Sequence, residues 1–179
     1  VNYSQLFHWL GGHEEMNTTD PNCLERIMET TKHLFSLRYF SRVWVIQEVS
    51  LARVVYLLVR DQVLRLTTHI LDRLKILYMN GRYYWGTHFA WFFAWSSDPI
   101  KGLGVIDCLR ASRDCNATDT RDRVFAVLSL MEPHARSVIP VDYTMNLEAV
   151  YANVVAAHIA TQRNLDILSY VDHYDTVLF

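Results

Sequence analysis

A tryptophan and a glutamate four residues apart, Trp44 and Glu48, stand in a run that is otherwise apolar: Val43, Val45, Ile46, Val49, Leu51 and Ala52. On an α-helix this spacing puts both side chains on one face, so the carboxylate is expected beside or above the indole. A helix that is apolar on most sides is one packed within a protein. A carboxylate on it needs a partner or a task, because an unpaired buried carboxylate takes up a proton. The structural answer is an ion pair with Arg42, Arg110 or Arg121, with Trp44 filling core. Residue types alone favour that answer, since structural ion pairs perturb carboxylates as readily as active sites do.

The rest of the composition narrows the choice. The 179 residues suit one domain or a large part of one, and 51% hydrophobic with 13% aromatic residues argues for a core-rich fold over disorder. A net charge of −2 with scattered basic residues offers no electrostatic footprint for nucleic acid. Cys23, Cys108 and Cys115 form neither an even set nor a Cys-x-x-Cys pair, so inert thiols in a reducing compartment are expected. The histidines lack metal-ligand spacing, so no metal is expected. The start carries no basic region followed by an apolar core, and the aromatic run at 85–95 is far short of the ~20 residues that span a bilayer.

The elements that must position Glu48 are mainly helical. Asp20-Pro21 opens a helix whose face is Leu24, Ile27, Met28, Thr31, Leu34 and Phe35. A hairpin is predicted near residues 53–66, from two apolar runs separated by Arg60-Asp61. Further helices are predicted at 67–79, ended by Asn80-Gly81, at 103–113, and from an Asp119 N-cap to Leu130 with Asp122 in the first turn. That last helix leaves Arg121 and Arg123 free to reach Glu48 or an anionic ligand. Pro140 makes 138–143 extended, and a helix over 147–161 carries Leu147, Val150, Tyr151, Val154, His158 and Ile159, with His158 as a core histidine. The segment 83–95 reads as a core helix before a partner-docking patch. Nothing marks a repeat or a second domain.

Three blocks then carry a resemblance. Tyr39-Phe-Ser-Arg-Val-Trp-Val-Ile-Gln-Glu-Val49, Ala117-Thr-Asp-Thr-Arg-Asp-Arg-Val-Phe-Ala-Val-Leu-Ser-Leu130, and Ile139-Pro-Val-Asp-Tyr-Thr144 with Glu148-Ala-Val-Tyr151 together resemble the fungal heterokaryon incompatibility (HET) domain. His8-Trp-Leu-Gly11 looks like an earlier element of that family. Its opening blocks have no counterpart, so residues 1–179 are expected to form a single partial HET domain. The resemblance implies a cytoplasmic effector that triggers programmed cell death in non-self recognition, self-associating or meeting other incompatibility or receptor proteins.

The HET domain is distantly similar to the Toll/interleukin-1 receptor (TIR) domain, which implies an α/β fold. Trp44-x-x-x-Glu48-Val49 looks like the TIR element whose glutamate is catalytic in NAD cleavage; Val45 stands where that element has cysteine, and Arg42 where it has serine. The resemblance therefore implies NAD as substrate and no cofactor, with Glu48 catalytic, Trp44 as pocket wall, and Arg121 and Arg42 as candidate substrate-binding groups. A carboxylate fixed in a dry pocket would stabilise the positive charge that builds on the ribose as the nicotinamide bond breaks. Gly102-Leu-Gly104 is only a fragment of a phosphate-binding loop. The alternatives are a non-catalytic assembly module, docking through 83–95, or a degenerate fragment with neither role.

Overall fold

Some of the helices begin where a side chain accepts a free amide or where a proline occupies the first turn. Asn2 Oδ1 accepts the Gln5 amide at 3.1 Å and opens α1 (Tyr3–Leu10), a helix the sequence reading did not anticipate. In the computed structural model, residues 2–11, 21–80 and 102–170 of the chain are described. After α1 come α2 (Pro21–Phe35), α3 (Trp44–Ser50), β1 (Val55–Val59), β2 (Gln62–Leu66) and α4 (Thr68–Asn80). The remainder comprises α5 (Val105–Arg113), α6 (Asp122–Leu128), α7 (Pro133–Val138), α8 (Leu147–Gln162) and a 3-10 turn (Asp166–Tyr170). The described residues are thus mostly helical, with one two-stranded antiparallel hairpin.

Helix α2 turns Ile27, Met28, Thr31, Leu34 and Phe35 inward as its periodicity predicts, and leaves Leu24 exposed. In α8 the Asn146 side chain accepts the Ala149 amide at 2.9 Å, and Arg163 ends the helix in the left-handed region at φ 53°. Its buried stripe is Val150, Val154, Ala157 and His158; Ile159, expected on it, faces outward. His158 is a core residue with Nε2 2.9 Å from Asn164 Oδ1 and Nδ1 without a partner among the described residues.

Two expectations about element boundaries shift. The helix predicted from Asp119 begins at Asp122, because residues 119–122 first form a tight turn in which Asp119 Oδ1 accepts the Arg121 amide at 3.0 Å. The stretch before Pro140 is helical as α7, with Glu132 as N-cap and Pro133 in its first turn, and becomes extended only at Ile139. Proline at a first helical position is itself a start signal.

The core joins Leu6 and Leu10 of α1, Leu34 and Phe35 of α2, Val45 and Ile46 of α3, Leu74 and Leu77 of α4, and Val124 and Val127 of α6. Helix α6 lies between α3 and α5, α7 packs on α8, and α1 meets α2, β2 and α4. Removal of this much apolar side chain from water is the main drive for the fold, at about 25 cal/mol per Å². The hairpin pairs Val55 with Leu66 and Val59 with Gln62 around Arg60-Asp61, close to the predicted span. Its inner face carries the buried Leu57, Leu64 and Leu66.

Cys108 and Cys115 are buried free thiols, and burial pushes both up to about 12, which leaves them inert. Among the described residues no helix is long and apolar enough to cross a membrane. The aromatic segment 83–95, the caps at Asp20 and Gly81, and His13 lie outside the described residues.

Candidate functional site

The three blocks that carry the resemblance meet at one carboxylate. Backbone pairing begins the junction: Val43 N donates to Asn116 O at 3.0 Å, and Asn116 N donates to Ser41 O at 2.6 Å, forming a parallel bridge of Arg42 with Asn116. This holds the start of α3 beside the approach to α6. Trp44 then donates its indole N–H to Asp122 Oδ2 at 3.1 Å, while Tyr143 donates its hydroxyl to Asp122 Oδ1 at 2.6 Å. Both Asp122 oxygens therefore have partners, which suits a positioning group better than a reacting one. The bond to Asp122 pushes the Tyr143 phenol up to about 12.

Arg121 clamps the same junction from the other side. Its Nε and Nη2 grip Asp119 at 2.9 and 2.6 Å, and its Nη1 donates to the Met145 carbonyl at 2.8 Å and to the Tyr143 carbonyl. The guanidinium also lies over the Tyr143 ring, 5.4 Å from its centroid, and Phe125 meets that ring edge-on at 5.0 Å. The Arg121 contact holds the Asp119 carboxyl below its ordinary range. With four of its five N–H groups engaged, Arg121 works here as a clamp between α6 and the loop before α8.

Glu48 stands elsewhere. It is exposed, and its Oε2 accepts the Tyr39 hydroxyl at 2.9 Å, while Oε1 has no partner among the described residues. The expected ion pair is absent: none of Arg42, Arg110 and Arg121 pairs with it. The helix is shorter than the apolar run suggested, and residues 45, 46 and 49 supply its buried side, which turns position 48 outward. Burial and then the Glu48 bond raise the Tyr39 phenol, opposed by the positive charge of the exposed Arg42 nearby. Trp44 is half-buried, with its polar edge given to Asp122. The structure thus brings Trp44 and Arg121 to the Asp122 junction and Glu48 and Arg42 to Tyr39.

Tyr39, Asp122 and Tyr143 all lie inside the three blocks, yet the sequence reading assigned none of them a site role. Their partners are 9, 78 and 21 residues away, beyond any helical period. Of the two glycines in Gly102-Leu-Gly104, Gly102 has a structural reason. Gly102 has φ +71°, and a Cβ there would lie 2.7 Å from Glu132 Cα, where Leu103 bridges to Met131. A shallow cleft of about 240 Å³ between α1 and β2, lined by Phe7, His8, Gln62 and Val63 among others, takes no residue from either cluster. Among the described residues no three histidine, cysteine or acidic side chains gather to hold a metal ion. Neither a family model nor a curated protein nor a solved structure matches this chain.

Proposed function

We propose that this chain carries a HET-type effector domain, of TIR-like α/β ancestry, that acts in the cytoplasm to trigger cell death in non-self recognition. The observation that supports this reading is the meeting of its three resemblance-bearing blocks at Trp44, Asp122 and Tyr143. Trp44 and Asp122 are 78 residues apart and Tyr143 lies 21 beyond Asp122, yet the three side chains build one junction. The reaction we assign is hydrolysis of NAD at the nicotinamide–ribose bond. Glu48 would act through its Oε1, with Tyr39 holding Oε2 and so fixing the carboxylate's direction. Arg42, exposed on the same side as Tyr39, would attract the dinucleotide's phosphates.

Nicotinamide release from NAD by the purified chain, compared with Glu48→Gln at matched thermal stability, tests this. Release that disappears in the variant supports the assignment, and release that survives removes Glu48 from the mechanism. A second reading, assembly without catalysis, is favoured by the exposure of Glu48. A folded parent that releases no nicotinamide at any concentration moves the conclusion there.

A further inference from the structure

The outer face of the hairpin is apolar, where an antiparallel ribbon packed on one side is commonly polar. Strands β1 and β2 turn Leu57, Leu64 and Leu66 inward, so Tyr56 and Leu58 of β1 and Val63 and Arg65 of β2 point the other way. The register sets Leu58 opposite Val63 and Tyr56 opposite Arg65, so three of these four side chains form one contiguous apolar patch. Leu58 is 70% exposed, Val63 62% and Tyr56 53%. Positive charge surrounds the patch. Arg65 lies on the face itself, Arg60 and Asp61 form the turn at one end, and Arg53 stands two residues before β1 at the other. All three arginines are exposed and form no ion pair among the described residues; the Arg60 guanidinium lies 5.8 Å from the Tyr3 ring. Residues 51–66 hold three arginines against one aspartate, in a chain whose net charge is −2.

We propose that this face docks on an anionic lipid surface, with the ribbon lying flat, Leu58 and Val63 in the boundary between headgroups and acyl chains, and the arginines on lipid phosphates. The local excess of positive charge selects an anionic occupant, and it disfavours a second copy, whose own hairpin would bring the same arginines. The number of side chains on offer selects lipid over protein. A standard protein interface uses roughly 20–30 residues a side, whereas the outer face of a ribbon with five residues in each strand presents only Tyr56, Leu58, Val63 and Arg65. A bilayer needs no matching contour. A few apolar side chains sink about 5–10 Å into the boundary, and each arginine near an anionic surface adds an attraction that salt screens. Arginine suits the perimeter, because its aliphatic stem lies along apolar surface while the guanidinium meets phosphate. The inner face does not compete, since Leu57, Leu64 and Leu66 belong to the core. The docking face shares no residue with the Tyr39–Glu48 pair or the Asp122 junction, so it is independent of any catalysis.

Co-sedimentation of the whole chain with vesicles tests it. The parent is expected to be half-bound at about 1 mM lipid on phosphatidylcholine vesicles that contain about 30% phosphatidylserine. Binding should fall about tenfold on pure phosphatidylcholine, and likewise in about 0.5 M salt. Arg53→Glu/Arg65→Glu should weaken binding by about tenfold or more, and Arg53→Lys/Arg65→Lys should stay within about threefold of the parent, because the surface reads charge. Leu58→Thr/Val63→Thr keeps β-branched residues on the ribbon and should weaken binding about tenfold by removing the apolar pair. All four positions are exposed, so circular dichroism should be unchanged, and the charge and apolar variants each decide the matter if the other fails to fold. A parent that does not sediment with anionic vesicles, one that binds neutral vesicles equally well, or a folded charge or apolar variant that binds like the parent would each overturn the proposal. So would a parent that ignores vesicles and binds polyglutamate, which would make the partner an acidic protein.

Discussion

Trp44 and Asp122, 78 residues apart, are joined by an indole N–H···O bond of 3.1 Å that ties α3 to the first turn of α6. The same carboxylate takes the Tyr143 hydroxyl, so one side chain closes a junction among three segments. Asp122→Ala should destabilise the protein by about 2–3 kcal/mol, the loss of two bonds to a charged acceptor. Trp44→Phe should cost less, and a double-mutant cycle between them should show a coupling of about 1 kcal/mol in urea denaturation. Additive effects would mean that the indole bond contributes nothing.

The Tyr143–Asp122 bond also makes an alkaline prediction. The phenol's value is raised from 10.0 to about 12 in the folded protein. Folding therefore favours the protonated form, so its contribution to stability is complete below pH 10 and is lost as pH rises through 12. Tyr143→Phe should flatten the fall of the urea midpoint across that window relative to the parent. An identical fall in both proteins would assign the alkaline loss to other groups.

Gly102 should be the least replaceable glycine in the described residues. Alanine there combines φ +71° with a Cβ 2.7 Å from the Glu132 backbone, and should cost about 2–4 kcal/mol in thermal or urea unfolding. At Gly104 the nearest obstacle is the Asp107 side-chain oxygen at 3.3 Å, which can move, so Gly104→Ala should cost less than about 1 kcal/mol. Equal costs at both positions would contradict the packing account.

Glu48→Gln should leave stability within about 0.5 kcal/mol of the parent, because the residue is exposed and an amide oxygen can still accept the Tyr39 hydroxyl. Any loss of nicotinamide release in that variant would then reflect chemistry and not unfolding. A large drop in melting temperature would instead show that Glu48 holds the fold.

Local signals in the sequence go far with the elements. The spacing of Ile27, Met28, Thr31, Leu34 and Phe35 predicts α2, and the two apolar runs around Arg60-Asp61 predict the hairpin. The starts at Asn2 for α1 and Pro133 for α7 are local signals of the same kind, and the sequence analysis did not use them. The site was less legible. Periodicity shows that Trp44 and Glu48 are one turn apart; it does not say which side of α3 meets the core.

By itself, then, the sequence determined a mostly helical chain with one hairpin. These elements depend on propensity, capping and apolar spacing, all of which act between near neighbours. Only the tertiary structure decided that Glu48 faces solvent with Tyr39, that Arg121 grips Asp119, and that Asp122 gathers Trp44 and Tyr143. The packing of α6 between α3 and α5 sets those pairings. A hydrogen bond closes only when the fold brings donor and acceptor within about 3 Å, and that distance is a property of the packed core.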